Sequence, residues 1–219
     1  MRYFQKKYWL LTAYTLISFL MAFISYFLWD IELAHYFAQY QQTSVEHFFD
    51  IVTEFGDGFY WIVYPGIIYL AFRYIEHFPE KFIPLSDYIF RSRQAWMRLS
   101  LFILSTAVIS GIVVNVFKLI FARFRPVELL QNGNFGFNWF DYGYRLASFP
   151  SGHSATALSV AMAFALVFPK HRFWLLPMGF FVIFSRVVLT EHYLSDVLVG
   201  SVIGVYTSLY LYRKIYLTD

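Results

Sequence analysis

LSLFILSTAVISGIVVNVFKLIFARFRP, residues 99–126, is the stretch whose reading decides the fold. Its first 24 residues, 99–122, carry a single charge, Lys118. A helix crossing the bilayer core needs about 20 predominantly apolar residues, so this segment reads as a membrane span. Its end carries a second message. Lys118 and Arg125 are seven positions apart, almost two helical turns, and share a face if the helix continues. Pro126 is then expected to end that helix at the outer surface. Arg123 falls off the shared face and is expected to be solvated or to touch headgroups.

The rest of the chain agrees with a membrane setting. Of its 219 residues, 59% are hydrophobic and only 14% charged, against about 25% charged in soluble domains. The 27 Phe and 18 Tyr suit lipid contact and the membrane interface. Five further apolar runs cover residues 8–29, 59–75, 154–168, 173–189 and 197–212. The shorter ones reach spanning length if their polar flanks extend them into the interface. The first is too long for a signal-peptide core and lacks a small-x-small cleavage site, so it counts as a span. With the N-terminus inside, twelve of the 17 Lys and Arg fall on inner segments, among them Lys81. The segment 30–58 has none. The positive-inside rule then gives an all-α bundle of six spans with both termini cytoplasmic. No linker, low-complexity tract or internal repeat divides the chain. One domain over 1–219 is expected, with a motif-bearing core of about 99–212. The absence of cysteine excludes disulfides and thiol chemistry.

The five outer cations are Lys118, Arg123, Arg125, Arg145 and Arg186. Cations placed against the topological bias, at the edges of apolar segments, need a reason to be there. They gather around three blocks: Lys118-x6-Arg125-Pro126, Pro150-Ser151-Gly152-His153, and Ser185-Arg186-x5-His192-x3-Asp196. Arg125 offers a planar fork to phosphate oxygens and Lys118 a point charge. Ser151, Gly152 and His153 open a helix, where free N–H groups and the dipole favour an anion. Gly152 lets backbone come close to phosphoryl oxygens. His192 and Asp196 lie at i, i+4, so the carboxylate is placed to accept from one ring nitrogen and leave the other free to attack. Taken singly, each block has a plainer reading: Ser151 as an N-cap, His153 as an interfacial histidine, His192 and Asp196 as a helix-start pair. Two histidines and an aspartate also form a zinc ligand set, but three nearby cations repel a divalent ion, so no metal and no cofactor is expected. His35, His47, His77 and His171 have no partner pattern and read as surface or interfacial.

Two connecting regions also have a reading. Thr43-x-x-Glu46 is a capping-box pattern ahead of Val45, Phe48, Phe49, Val52 and Phe55 at helical spacing, with Glu46, Asp50 and Glu54 opposite. It reads as an amphipathic helix in the outer interface or as a packed loop helix with a solvated acidic face. Residues 131–146, rich in Gly, Asn and aromatics, read as a loop that is a lid, a lipid-contacting rim or a plain connector.

Taken together, the three blocks resemble the type 2 phosphatidic acid phosphatase (PAP2) superfamily, which also includes soluble vanadium haloperoxidases. The resemblance covers roughly residues 118–200, without departure from the motif pattern, and the layout looks like the integral-membrane lipid phosphatase branch. It implies that His192 is the nucleophile and forms a phosphohistidine, that Asp196 orients it, and that His153 protonates the leaving oxygen. It implies that Lys118, Arg125, Ser151, Gly152 and Arg186 hold the phosphoryl oxygens. The expected reaction is metal-independent hydrolysis of a phosphomonoester or pyrophosphate on a membrane lipid, or transfer of that phosphoryl group to another acceptor. Expected partners are membrane lipids and a lipid phosphate (phosphatidic acid, phosphatidylglycerol phosphate, undecaprenyl pyrophosphate or lipid A), and no nucleic acid. The absence of Asn-x-Ser/Thr sites points to a bacterial inner membrane, with the site facing the periplasm. A non-catalytic lipid-binding protein or a transporter is the rival reading. The presence of all three catalytic candidates weighs against the first. The clustering of charge in one half weighs against the second.

Overall fold

The computed structural model describes residues 2–75 and 87–217. Among them the regular secondary structure is helix, with one isolated bridge, between Arg123 and Phe137, and no strand. The helices are α1 (Arg2–Leu28), α2 (Asp30–Ala38), α3 (Ser44–Thr53), α4 (Gly58–Ile75), α5 (Asp87–Phe121), α6 (Pro126–Asn132), α7 (Gly152–Val167), α8 (Arg172–Val188) and α9 (Leu194–Tyr216). Each of the six apolar runs lies in one of the longer helices. Among the described residues, four stretches are long and apolar enough to cross a membrane: Trp9–Leu28, Ser92–Phe121, Pro169–Val188 and Leu194–Tyr216. At 16 residues α7 is shorter. Lys81 and His77 lie outside the described residues.

Helix α7 is the centre of the bundle. Ten of its 16 residues are buried, most of them Ala, Ser or Thr. It packs against α5, α8 and α9, while α1 leans on α9 and α4 on α5. Small side chains bring the backbones together, as is usual where lipid supplies no hydrophobic drive between helices. A Cβ on Gly200 of α9 would lie 2.5 Å from the carbonyl oxygen of Ser151, and one on Gly179 of α8 would lie 2.7 Å from Ala161 Cβ. Outward faces are apolar: Leu16, Leu20, Phe23 and Phe27 of α1 are exposed.

The link between α5 and α6 departs from the expected continuous helix. Helix α5 stops at Phe121, and Ala122 turns the chain with φ 41°. Arg125 is extended (φ −76°, ψ 159°), and Pro126 opens α6 rather than closing α5. Backbone pairing explains the break. Phe124 N donates to Gly136 O and Asn138 N to Ala122 O on one side; on the other, Arg125 N donates to Arg145 O and Ser148 N to Arg123 O. The loop after α6 thus satisfies the polar groups that a helix would otherwise pair internally. Phe135 and Phe137 of that loop pack on Tyr26, so it is a built wall as well as a connector.

Helix α3 forms where the amphipathic pattern predicts it. Its cap differs in detail: Gln42 N donates to the Glu46 carboxylate, and the Thr43 hydroxyl bonds Tyr40 O instead of capping the helix. Phe49 packs on Phe181 and Phe184 of α8 with ring centroids 5.6 and 6.3 Å apart.

Candidate functional site

The three sequence blocks meet at one end of the bundle. His192, in the turn between α8 and α9, is 2% exposed. Its Nδ1 lies 2.7 Å from the carbonyl oxygen of Ser148 and 3.7 Å from Asp196 Oδ2. A carbonyl only accepts, so Nδ1 carries the proton and Nε2 keeps the lone pair. The orienting acceptor is therefore the Ser148 backbone, where the i, i+4 spacing had pointed to Asp196. Burial holds the His192 imidazole well below its ordinary pKa of 6.5, and Arg125, Lys118, Arg186 and His153 push in the same direction. These four groups converge on it from α5, the α5–α6 link, α8 and α7.

Asp196 acts one step further back. It accepts from Arg123 Nη1 at 2.5 Å, Ser148 Oγ at 2.6 Å and Tyr193 N at 2.9 Å. Arg123, expected on the surface, is wholly buried. Its second limb meets Asp30 Oδ2 at 2.8 Å, and Nη1 also donates to Ser195 Oγ at 2.6 Å. Asp30 in turn accepts from Ser195 N at 3.1 Å, from Ser25 Oγ at 2.6 Å and from the Ser195 hydroxyl. Rings of Tyr26, Phe135, Phe137 and Tyr193 surround the guanidinium, with centroids 4.3 to 5.4 Å from Cζ. Cation–π contact and two carboxylates offset the cost of burying this charge.

The cations differ in their surroundings. Arg186, in the last turn of α8, donates to Thr53 Oγ1 at 2.8 Å. Arg125 stacks on Tyr144, 4.1 Å from Cζ to the ring centroid, and pairs with Glu191 at 2.5 Å. Both guanidinium groups keep a buried Nε donor with no acceptor among the described residues. Lys118 Nζ would sit 3.9 Å from a Cβ placed on Gly152. Ser151 caps α7, its Oγ accepting from Ser154 N at 3.3 Å. His153, half-buried, follows in the first turn, beside Gly56: a Cβ there would meet His153 Cβ at 3.4 Å.

Among the described residues no group of three His, Asp or Glu side chains is arranged to hold a metal. His35, His47 and His171 are exposed. Five participants escaped the sequence reading: Arg123, Asp30, Ser148, Tyr144 and Glu191. Asp30 did leave a signal, as the first acid after the apolar run 8–29.

The structure is an all-helical bundle with long apolar helices that carries two histidines and three cations together at one end. The chain belongs to the PAP2 superfamily, whose model matches residues 99–218. It is 32% identical over 170 residues to the lipid A 1-phosphatase of Rhizobium johnstonii, covering 75% of this chain and 66% of that protein. It is 36% identical over 115 residues to the lipid A 1-phosphatase of Rhizobium etli, covering 52% of this chain and 49% of that one. A third relative, the lipid A 1-phosphatase of Porphyromonas gingivalis, is 33% identical over 99 residues, 19% of its length. The chain thus spans about two thirds of the first relative's length and half or less of the others'. No solved structure gives a significant match.

Proposed function

We propose that this chain is a metal-independent lipid phosphatase that hydrolyses a phosphomonoester on a membrane lipid. The observation that carries this reading is the convergence of Lys118, Arg125 and Arg186 on His192, whose Nδ1 is held by Ser148 O so that Nε2 is left free. Arg125 and Arg186 also keep a buried Nε donor without an acceptor, as Arg123 does inside its aromatic cage. A buried donor without a partner costs about 1–3 kcal/mol, and an anion with several oxygens removes that cost.

Phosphoryl transfer depends mainly on positioning and on charge stabilisation at the equatorial oxygens. Lys118, Arg125 and Arg186 supply that charge, with the α7 N-terminus at Ser151 and Gly152 as a further donor. Nε2 of His192 attacks phosphorus and forms a P–N bond as the P–O bond to the lipid breaks. The pKa of the His153 imidazole is pushed down to about 3 by burial and by Arg186, so it holds a proton only with a phosphoryl dianion beside it, and it then gives that proton to the departing oxygen. Water then attacks phosphorus, its proton returns to His153, and the P–N bond breaks to free phosphate. Asp196 serves through Ser148 and Arg123, which hold the turn that carries His192.

The chain forms one domain of six spans. Helices α4 and α7 join the four longer ones, both termini are cytoplasmic, and the site opens to the periplasmic side of a bacterial inner membrane. Its relatives make the 1-phosphate of lipid A the first substrate to test, ahead of phosphatidic acid, phosphatidylglycerol phosphate and undecaprenyl pyrophosphate.

Purified protein in detergent is expected to release phosphate from one of these lipids in the presence of EDTA, and His192→Ala is expected to abolish release while the melting temperature holds. Full turnover in His192→Ala removes the nucleophile from this account, and loss of activity in EDTA with rescue by a divalent ion removes the metal-free mechanism. The chain has no cysteine, so Tyr142→Cys provides a single label on an exposed loop residue. Labelling from outside intact spheroplasts is expected; labelling from the cytoplasmic side alone inverts the topology.

A further inference from the structure

Glu191 sits inside the cation cradle. Its Oε2 lies 2.5 Å from Arg125 Nη1 and 3.5 Å from Arg186 Nη2. The Tyr144 hydroxyl donates to the same oxygen at 3.2 Å. Both arginine side chains are at most 10% exposed, whereas that of Glu191 is 34% exposed. The carboxylate therefore enters the cradle from its open side. The backbone keeps it there, because Glu191 N and His192 N both donate to Arg186 O at 3.1 Å. Carboxylate and imidazole leave the same turn as immediate neighbours. An arginine fork that receives a carboxylate oxygen receives a phosphoryl oxygen by the same geometry.

We propose that Glu191 is the resident counter-ion of the phosphate cradle: the substrate's phosphoryl group displaces it, and it returns as phosphate leaves. The inference rests on the reading of this site as a phosphoryl pocket. Arg125, Arg186 and Lys118 together form an unbalanced cluster of positive charge beside a buried histidine. A single carboxylate offsets part of that charge. A phosphomonoester near neutral pH carries about −1.5 to −2 and wins the exchange, while the partly exposed Glu191 swings toward solvent at small cost. Glu191 thereby weakens the hold on every phosphate-bearing ligand, the product included. Release is fast because a competing anion stands one residue from the nucleophile. The opposite role, a strut that holds the two arginines in place for phosphate, predicts the opposite sign when the carboxylate is removed.

The experiment is calorimetric titration of the purified full chain with orthophosphate and with orthovanadate, alongside the KM for the lipid phosphate. Glu191→Gln is expected to bind both anions about fivefold more tightly, the size of one partly exposed ion pair, with KM falling in parallel. Tyr144→Phe removes only the hydroxyl that steadies Glu191 and is expected to shift binding the same way by less. It decides the matter if Glu191→Gln does not fold. Unchanged or weaker anion binding in the variant that folds overturns the proposal. A wild-type chain that binds neither anion overturns the phosphoryl pocket itself, whereas binding that does not respond to Glu191 overturns only the counter-ion role.

Discussion

Arg123 Nη1 and Asp196 Oδ1 lie 2.5 Å apart with both side chains wholly excluded from solvent. This contact ties the link after α5 to the first turn of α9. The other limb of Arg123 extends the tie to Asp30 at the start of α2. The N-terminal half, beyond the stretch matched by the family model, reaches the site through this guanidinium, through Asp30 on Ser195 and through Thr53 on Arg186. Removing one member of a buried ion pair leaves the other uncompensated and costs about 3–5 kcal/mol. Arg123→Met is therefore expected to lower the melting temperature sharply and to reduce kcat, because Asp196 loses its strongest donor. A variant that melts with the wild type would remove Arg123 from the framework of the site.

The depressed pKa of His192 fixes the direction of a pH effect. Burial is the largest cause and Arg125 the next. The acid limb of the kcat/KM profile that belongs to this group is expected below pH 6.5, where the ordinary imidazole titrates. Arg125→Gln removes a repelling cation, so the imidazole takes its proton more readily and the limb moves to higher pH. A limb that stays in place or moves down contradicts the assignment. Stability follows by linkage. The unfolded chain binds this proton more readily than the folded one, so His192 has no effect above pH 6.5 and lowers stability as the pH falls from there toward the folded value.

The residues proposed to touch the phosphoryl group could be picked out in the sequence because isolated charges and a Gly-His pair at the edges of apolar runs have few other reasons to exist. Lys118, Arg125, His153, Arg186 and His192 were found that way. The helices were legible for the same reason, as apolar runs of near-spanning length. The supports were not. Arg123 lies five residues after Lys118, off the shared face of a helix that was assumed to continue. Its burial depends on the chain leaving that helix at Ala122, and on a loop bond to Gly136 that no local pattern announces. Ser148 contributes a carbonyl, which every residue has. Glu191 reads as an ordinary surface acid until Arg125 and Arg186 are seen to converge on it.

Ser148 separates two roles in one residue. Its carbonyl orients His192, while its hydroxyl donates to Asp196. Ser148→Ala keeps the carbonyl and removes one of three donors to Asp196. The expected loss in kcat corresponds to about 1 kcal/mol, the worth of one hydrogen bond. Asp196→Asn gives up the charge opposite Arg123 and is expected to lose far more activity, with a lower melting temperature. Steady-state rates on the two variants test the order. Equal inactivation would mean that the Ser148 hydroxyl, rather than its backbone, is what His192 depends on.

Gly200 lets α9 approach the start of α7 closely enough to assemble the site. A Cβ there would stand 2.5 Å from Ser151 O and 3.2 Å from Ser154 Cβ, so Gly200→Ala must push the first turn of α7 outward. That turn carries Ser151, Gly152 and His153, and its displacement moves the proposed proton donor away from the leaving oxygen. Overpacking of this kind costs about 1–3 kcal/mol. At Gly111 in α5 the same methyl group would meet nothing within 4 Å, and alanine is the better helix former by about 1 kcal/mol. Gly200→Ala is expected to lower both kcat and the melting temperature, while Gly111→Ala leaves the rate unchanged and the melting temperature equal or higher. Rates and thermal melts on the two purified variants decide it. Wild-type turnover in Gly200→Ala would show that the site tolerates a wider gap between α7 and α9 than the close packing at Ser151 implies.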